Sequence, residues 1–353
     1  MRRFTEVVFL VLVLCVKFVT ALAVAAEAPT DYNSYDGSVI GARAIGMGET
    51  FVGLADNADN AFWNPAGLVQ LPINMATIGF NVQTVTKEDV DEVFNKDPLK
   101  GGKLVYLSFV ASQGGLSWRP LSNFKQTTYT EDTTTNTETW EEKEVRINQF
   151  LLSLAVPYTD KMNVGFNINY LNGDLALSSK SKTAGLWNEP SANVSSGHGF
   201  GMDFGLLYKF SPYMNLGVML QNIASCMYWD DYDRDKLPLN MRVGTAMKMG
   251  NLLTLVYDYE KRFYPDIDDK EIYHLGMEHL FFKSVALRYG MYGTDWNNPK
   301  EVTYTFGMGY VKDNYFVDVA LRKYYMNLAS VGETPVYSDD VVYTYICSLT
   351  IPF

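Results

Sequence analysis

From about Met75 onward, apolar and polar residues alternate with period two, the pattern of β-strands whose two faces meet different surroundings. Met162, Val164, Phe166, Ile168 and Tyr170 alternate with Asn163, Gly165, Asn167 and Asn169. Phe200, Met202, Phe204, Leu206 and Tyr208 alternate in the same way with Gly201, Asp203, Gly205 and Leu207, and Val317, Val319 and Leu321 oppose Asp318, Ala320 and Arg322. The pattern predicts strands near 75–85, 102–111, 113–120, 146–157, 162–173, 198–210, 214–224, 239–249, 252–262, 271–280, 284–294, 301–311, 315–325 and 340–353. That is about fourteen, an even number as in bacterial single-chain barrels.

Alternation alone fits both a soluble sandwich, which buries its apolar face, and a membrane barrel, which turns that face to lipid. The connections favour the barrel. Tight turns near Asp160, Pro212, Gly250 and Asp313 are each followed, one strand later, by a longer polar loop, and short turns on one rim with long loops on the other are the habit of outer-membrane barrels. The expected fold is therefore all-β: a transmembrane antiparallel β-barrel of about fourteen strands.

The beginning of the chain adds a compartment. Arg2 and Arg3 precede the apolar run VVFLVLVLCV and the small-residue stretch ALAVAA, the layout of a cleaved secretory signal over 1–26. Lys17 breaks that run short of the roughly 20 apolar residues a spanning helix needs, and no later stretch is long enough. Any spanning structure must then close a barrel. A composition of 47% hydrophobic and 14% aromatic residues suits such a wall but equally suits a soluble β-protein. The formal charge of -11 argues against nucleic acid as a partner. Acidic runs (KEDVDEVF, EDTTTNTETWEEKE, DDYDRD, DIDDKE) fall between the β-like segments and read as solvated loops. Cys226 and Cys347 lie far apart in the pattern, so no disulfide framework is expected.

Two segments stand out from the rest. The last strand carries Val341, Tyr343, Tyr345, Cys347, Leu349, Ile351 and the terminal Phe353 on one face; it must pair with the first strand to remove the edges of the sheet. Residues 41–72, GARAIGMGETFVGLADNADNAFWNPAGLVQLP, are rich in Gly, Ala and Asn and read as compact irregular backbone. A fourteen-stranded barrel is too wide for its wall side chains to fill, and such a segment fits inside it. The expected division is a signal over 1–26, an N-terminal hatch over 27–74 and a barrel over 75–353.

The GARAxGMG opening, the FVGLADNAD centre and the WNPAGL close resemble the N-terminal hatch of the FadL and PorV superfamily of outer-membrane barrels. The resemblance implies a location in the bacterial outer membrane, in contact with its lipid. It also implies hatch roles for Gly41, Ala42, Gly46, Gly48, Asn64, Pro65 and Ala66, for which packing inside the wall is the plainer reading and ligand contact the alternative. Tyr345, Leu349, Ile351 and Phe353 resemble the terminal signal read by the outer-membrane assembly machinery. FadL-type members take up long-chain fatty acids or other hydrophobic small molecules through a kink in the third strand; here Gly114, Gly115 and Pro120 are the candidates for such a lateral opening, since glycine weakens a ladder and proline removes a donor. An ordinary turn and strand end is the competing reading. PorV-like members instead hold secreted-protein partners, and the acidic, Thr-rich loop expected near 121–145 suits either role. A basic groove or aromatic-lined pocket would favour uptake; a broad apolar loop surface would favour a protein partner.

Among lumen-facing cations, Lys209, Arg242, Lys248, Arg288 and Arg322 are candidate anion contacts or members of internal charge pairs with Asp203, Asp258, Glu278 or Asp318. The three histidines are His198, His274 and His279; His274 is expected beside Glu278, with Asp258 and Arg288 nearby, and a charge-laced lumen accounts for such a group without catalysis. There is no GxSxG, no metal-ligand spacing and no phosphate loop, so the reading is a channel and not an enzyme, with no cofactor or metal.

Overall fold

The computed structural model describes residues 40–84, 103–265, 267–312, 315–327 and 335–353. The expected signal at 1–26 and the expected start of the hatch at 27–39 lie outside the described residues. Fourteen long strands form one ring: β1 Met75–Thr84, β2 Lys103–Ala111, β3 Gly114–Asp132, β4 Thr137–Thr159, β5 Met162–Thr183, β6 Ser191–Ser211, β7 Met214–Gln221, β8 Leu239–Met249, β9 Leu253–Phe263, β10 Lys270–Phe281, β11 Val285–Gly293, β12 Val302–Lys312, β13 Tyr315–Asn327 and β14 Tyr337–Pro352. Each pairs antiparallel with its sequence neighbours, and β14 closes on β1 from Met75–Pro352 to Thr84–Tyr343. Three short strands, Leu186–Trp187, Cys226–Trp229 and Asp235–Lys236, belong to the long connections.

The two faces of the ring decide between sandwich and membrane wall. Ser153 is fully buried while its neighbours Leu152 and Leu154 are 42% and 52% exposed. Asn167 is likewise buried beside Ile168 at 47%. Polar side chains inside and apolar ones outside is the inverse of a soluble core and the arrangement of a lipid-facing barrel. Phe150, Tyr170 and Phe200 stack side by side on the outer face, with centroids 6.3 and 5.4 Å apart, as in the aromatic girdles of such walls. No described helix is long and apolar enough to cross a membrane; the strands do the crossing.

Strands β3 to β6 run well past the lengths expected from alternation. The stretch near 121–145, read from the sequence as a loop, is mostly the β3–β4 hairpin, with Tyr129 opposite Trp140 and only a short turn after Asp132. Beyond the lipid both faces of a strand meet water, so the two-residue hydrophobic period vanishes while the ladder continues.

Residues 40–74 lie against the inner face of the ring. They form a short helix α1 (Ala42–Gly46), a second helical turn α2 (Asn60–Trp63) and a 3₁₀ turn over Pro65–Gln70. Met47, Phe51, Leu54 and Trp63 pack with Ala246 of β8 and Val256 of β9. Ala42 and Ile45 pack on Ala320 of β13 and Ile346 of β14. Glycines in the wall make the approach so close that backbone touches backbone: a Cβ on Gly165 would stand 2.3 Å from the Ala66 nitrogen, and one on Gly290 2.0 Å from the Gly48 nitrogen. Gly48 itself has φ +71, the left-handed region that favours glycine.

Candidate functional site

The segment 40–74 is fixed to the ring by side-chain bonds from many strands. Asn64 follows α2 and opens the 3₁₀ turn: its amide donates to the carbonyls of Val52 (2.9 Å) and Leu206 (3.1 Å), and its oxygen accepts from the Ala66 nitrogen (3.2 Å). Asp258 on β9 accepts from the nitrogens of Phe51 and Val52. Asn167 on β5 donates to Ala61 O, Ser108 on β2 to Ala58 O, and the Gly48 nitrogen donates to Thr305 on β12. The bonds to Phe51, Val52, Ala58 and Ala61 satisfy backbone groups of the irregular segment from the wall, and the Gly48 nitrogen is shared between Thr305 and Ile45 O within the segment.

Charge adds to this anchoring. Arg43 on α1 pairs with Asp56 at 2.6 Å and with Glu278 on β10 at 2.8 Å. Burial works against its charge, but Asp56 and Glu278 hold the guanidinium well above its ordinary pKa. Asp59 is different: it is buried, accepts one bond from Asn57, and its Oδ1 has no hydrogen-bond partner among the described residues. Burial pushes its carboxyl up to about 6, against the pull of the Asn57 bond.

Between this floor and the long-loop rim lies a cavity of about 970 Å³. Phe62 and Trp63 of α2, Glu49 and Ile40 form its base. Its walls carry Arg119, Arg242, Arg262, Lys270 and Arg322 together with the Asp203 carboxylate; Arg146, on the outward side of β4 and paired with Glu144, reaches its edge, and Glu260 pairs with both Arg242 and Arg262. Arg242 pairs with Glu260, donates to the Glu49 carbonyl (3.1 Å) and lies over the Trp63 ring at 5.0 Å. Arg322 lies 3.5 Å from Glu49, 3.4 Å from the Tyr292 hydroxyl and over the Tyr324 ring at 4.7 Å. The space is thus aromatic and cationic together.

The candidate anion contacts separate into groups. Arg242 and Arg322 line the cavity. Arg288 is sealed below it, 2.7 Å from both Glu278 and Asp318. Lys209 and Lys248 are exposed toward the short-turn rim, Lys248 facing Asp56 at 3.5 Å, because each falls at the end of its strand and not inside the lumen. His274 lines the cavity but does not meet Glu278 in the way its spacing suggested: Nδ1 donates to Gly48 O (2.9 Å) and Nε2 faces Glu260 (3.1 Å), with Asp258 opposite it in register. A strand period of two puts 274 and 278 on one face yet two residue pairs apart. Among the described residues no group of His, Cys, Asp or Glu has the arrangement of a metal site.

One side of the cavity coincides with a change in the wall. Pairing of β2 with β3 stops at Leu107–Trp118, although both strands continue. Two bulges flank the stop: β1–β2 shifts register at Gly79/Phe80, where Val105 is the extra residue, and β3–β4 shifts between Pro120 and Ser122, where Leu121 is. The cavity is lined here by residues of both faces: Trp118, Pro120 and Asn148 share the outward side with exposed Phe150, while Arg119, Ile147 and Gln149 point inward. Of the three candidates for an opening, Pro120 sits at the bulge; Gly114 and Gly115 lie in the paired hairpin opposite Ala111 and Val110. Val105, Leu121 and Arg119 escaped notice in the sequence, where an extra residue in a strand leaves no mark that alternation alone can show.

At the closing strand, Leu349 and Ile351 face outward opposite Ile78 and Ala76, Tyr345 lies opposite Leu321 of β13, and the Phe353 nitrogen donates to Asn74 O at 3.0 Å.

No sequence-family model matches the chain, and no curated protein matches it. Solved structures do. The toluene transporter TbuX of Ralstonia pickettii superimposes with a TM-score of 0.62 at 15% identity, covering 91% of this chain and 100% of that one. The toluene transporter TodX of Pseudomonas putida gives 0.61 at 14%, covering 91% and 100%, and a FadL homologue of Pseudomonas aeruginosa gives 0.58 at 12%, covering 94% and 100%.

Proposed function

We propose, from the premise that this chain has the fold of the FadL-type channels, that it is an outer-membrane channel for passive uptake of hydrophobic or amphipathic small molecules. The observation that carries this reading is the aromatic and cationic cavity above residues 40–74, enclosed by a wall whose apolar face points outward. The neighbours in fold are named for toluene transport or as a FadL homologue, which supports a hydrophobic ligand. A basic, aromatic-lined pocket also favours uptake over the secreted-partner role of PorV-like proteins.

In this reading residues 40–74 act as a plug, and the ligand leaves sideways. The many bonds from the wall to the segment make its wholesale displacement costly, since each buried bond broken leaves an unsatisfied group worth about 1–3 kcal/mol. The interrupted β2–β3 pairing beside Pro120 offers a path that breaks none of them. Passage needs no chemistry, only a descending series of apolar contacts from cavity to bilayer.

The test is deletion of Leu121, which removes the bulge and brings β3 into unbroken register with β4. Reconstituted barrel should take up a hydrophobic tracer in its natural form and lose that uptake in the deletion, while still running as a folded, heat-modifiable band. Unchanged uptake by a folded deletion variant would rule out the sideways route.

A further inference from the structure

Near the tips of the β3–β4 and β4–β5 pairs three aromatic rings lie in a row. Tyr129 of β3 meets Trp140 of β4 with centroids 5.1 Å apart, and Trp140 meets Trp187, on the short strand after β5, at 5.0 Å. The planes are tilted by 51° and 43°, so the row is bent. Tyr129 is 50% and Trp187 52% exposed. The Lys180 ammonium, 3.9 Å from the Trp187 centroid, covers one side of that ring. From Phe150 to Trp140 the register of β4 against β5 is unbroken and both positions are even, which puts the row on the outward side of the sheet, the side of Phe150 and Tyr170. The ten residues between them, at about 3.3 Å each on a strand tilted by about 40°, set the row roughly 25 Å above that girdle.

Rings gathered at that height touch neither lumen nor lipid, and their size, charge and direction say what they meet. Three rings that bury about 150–250 Å² each offer roughly 300 Å² at half exposure, well short of the about 800 Å² per partner of a stable protein interface. Charges on the same face cancel: Lys180 and Lys182 stand against Glu131 and Glu138, with Lys182 3.7 Å from Glu138. A neutral patch draws in no polyanion. A pyranose fits it. One side of a sugar ring is a layer of C–H bonds that stacks on an aromatic face, and the hydroxyls at its rim bond to lysine and glutamate heads beside it. Because the row faces sideways over the membrane and not into the lumen, its partner is rooted in the same leaflet. We infer that Tyr129, Trp140 and Trp187 form a docking surface for the neutral sugar chain of the outer-leaflet glycolipid. The inference needs only the outward side of the hairpins and is independent of what the lumen carries.

The probe is the delipidated sugar chain, released by mild acid from the lipopolysaccharide of the strain that carries this chain and titrated calorimetrically into the full-length barrel in detergent. The natural protein should bind it saturably. Trp187→Ala and Tyr129→Ala should each weaken binding about three- to tenfold, the worth of one stacked ring, and Trp187→Phe, which keeps a ring, should retain most of it. No binding by the natural protein, or binding that both folded alanine variants leave unchanged, overturns the inference. A second measurement in growing cells covers variants that do not fold. Tyr129→p-benzoylphenylalanine, irradiated, should give adducts that run as a ladder and stain for carbohydrate after protease treatment. A single adduct with a protein would assign the patch to a protein partner and overturn the inference, as would the absence of any adduct.

Discussion

Arg43 and Glu278, 235 positions apart in the chain, meet in a two-pronged contact in which Nε donates to Oε2 and Nη2 to Oε1, each at 2.8 Å. The pair is the centre of a line of alternating charge. Asp56 lies beyond Arg43, and Arg288 and Asp318 lie beyond Glu278. Two arginines and three carboxylates, from residues 40–74 and from three strands, thus alternate in sign from a partly exposed end at Asp56 to the buried Arg288 and Asp318.

Breaking that line in its middle should cost more than removing an end. Glu278→Gln leaves Arg43 and the nearly buried Arg288 facing each other without the carboxylate between them, and loss of one partner from a buried pair costs about 3–5 kcal/mol. The urea midpoint of the barrel in lipid vesicles should fall accordingly. A midpoint equal to that of the natural protein would show that the charges contribute nothing to the fold.

The seating of the segment on the wall depends on absent side chains. In Gly290→Val the new Cβ would stand 2.0 Å from the Gly48 nitrogen, which is backbone and cannot swing away. The turn at Met47–Glu49 should be lifted from β11, and single-channel recordings should show a larger conductance to small ions than the natural protein gives. Conductance unchanged in this variant would count against a plugging role for the segment.

Asp59 makes stability depend on pH in an uncommon direction. Its carboxyl titrates at about 6 in the folded protein against an ordinary value of 3.8, raised by burial. The folded state therefore favours the neutral acid; the resulting stabilisation is complete below about pH 4 and is lost as pH rises through 6. Asp59→Asn should unfold at higher urea than the natural protein at pH 8, by up to about 3 kcal/mol, and should match it near pH 4. A difference that is the same at both pH values would mean that titration of this group plays no part.

Asn64 serves two carbonyls and one nitrogen with a single amide. Asn64→Leu keeps the volume and leaves those backbone groups without partners, each loss worth about 1–3 kcal/mol. Faster hydrogen exchange at Ala66 is the sharpest readout, because that nitrogen loses its only acceptor within the turn; unaltered exchange there would refute the assignment.

Where the chain meets lipid, the sequence speaks clearly. Leu152, Ser153 and Leu154 announce inside and outside in three residues, and the order and pairing of fourteen strands follow from repeating that contrast. Past the lipid the contrast is lost, so the outer halves of β3 and β4 were legible only in the β-forming character of residues such as Tyr129 and Trp140. The cavity was half legible. Arg242 and Arg322 could be placed on the inner face by parity, but parity cannot say how high on the wall a residue stands, which is why Lys209, Lys248 and Arg288 looked equivalent to them. The bulges at Val105 and Leu121 reverse parity within a strand, and a period-two reading absorbs such a reversal as noise.

Those two extra residues also carry a lesson about how this wall can change. A side chain is exchanged by substitution, but a bulge is a whole number of residues, removed only by deleting one. Substitutions at Arg119, Trp118 or Phe62 change the lining of the cavity one side chain at a time, whereas the parting of β2 from β3 lies in the backbone. The lining changes with chemistry; the seam is kept by counting.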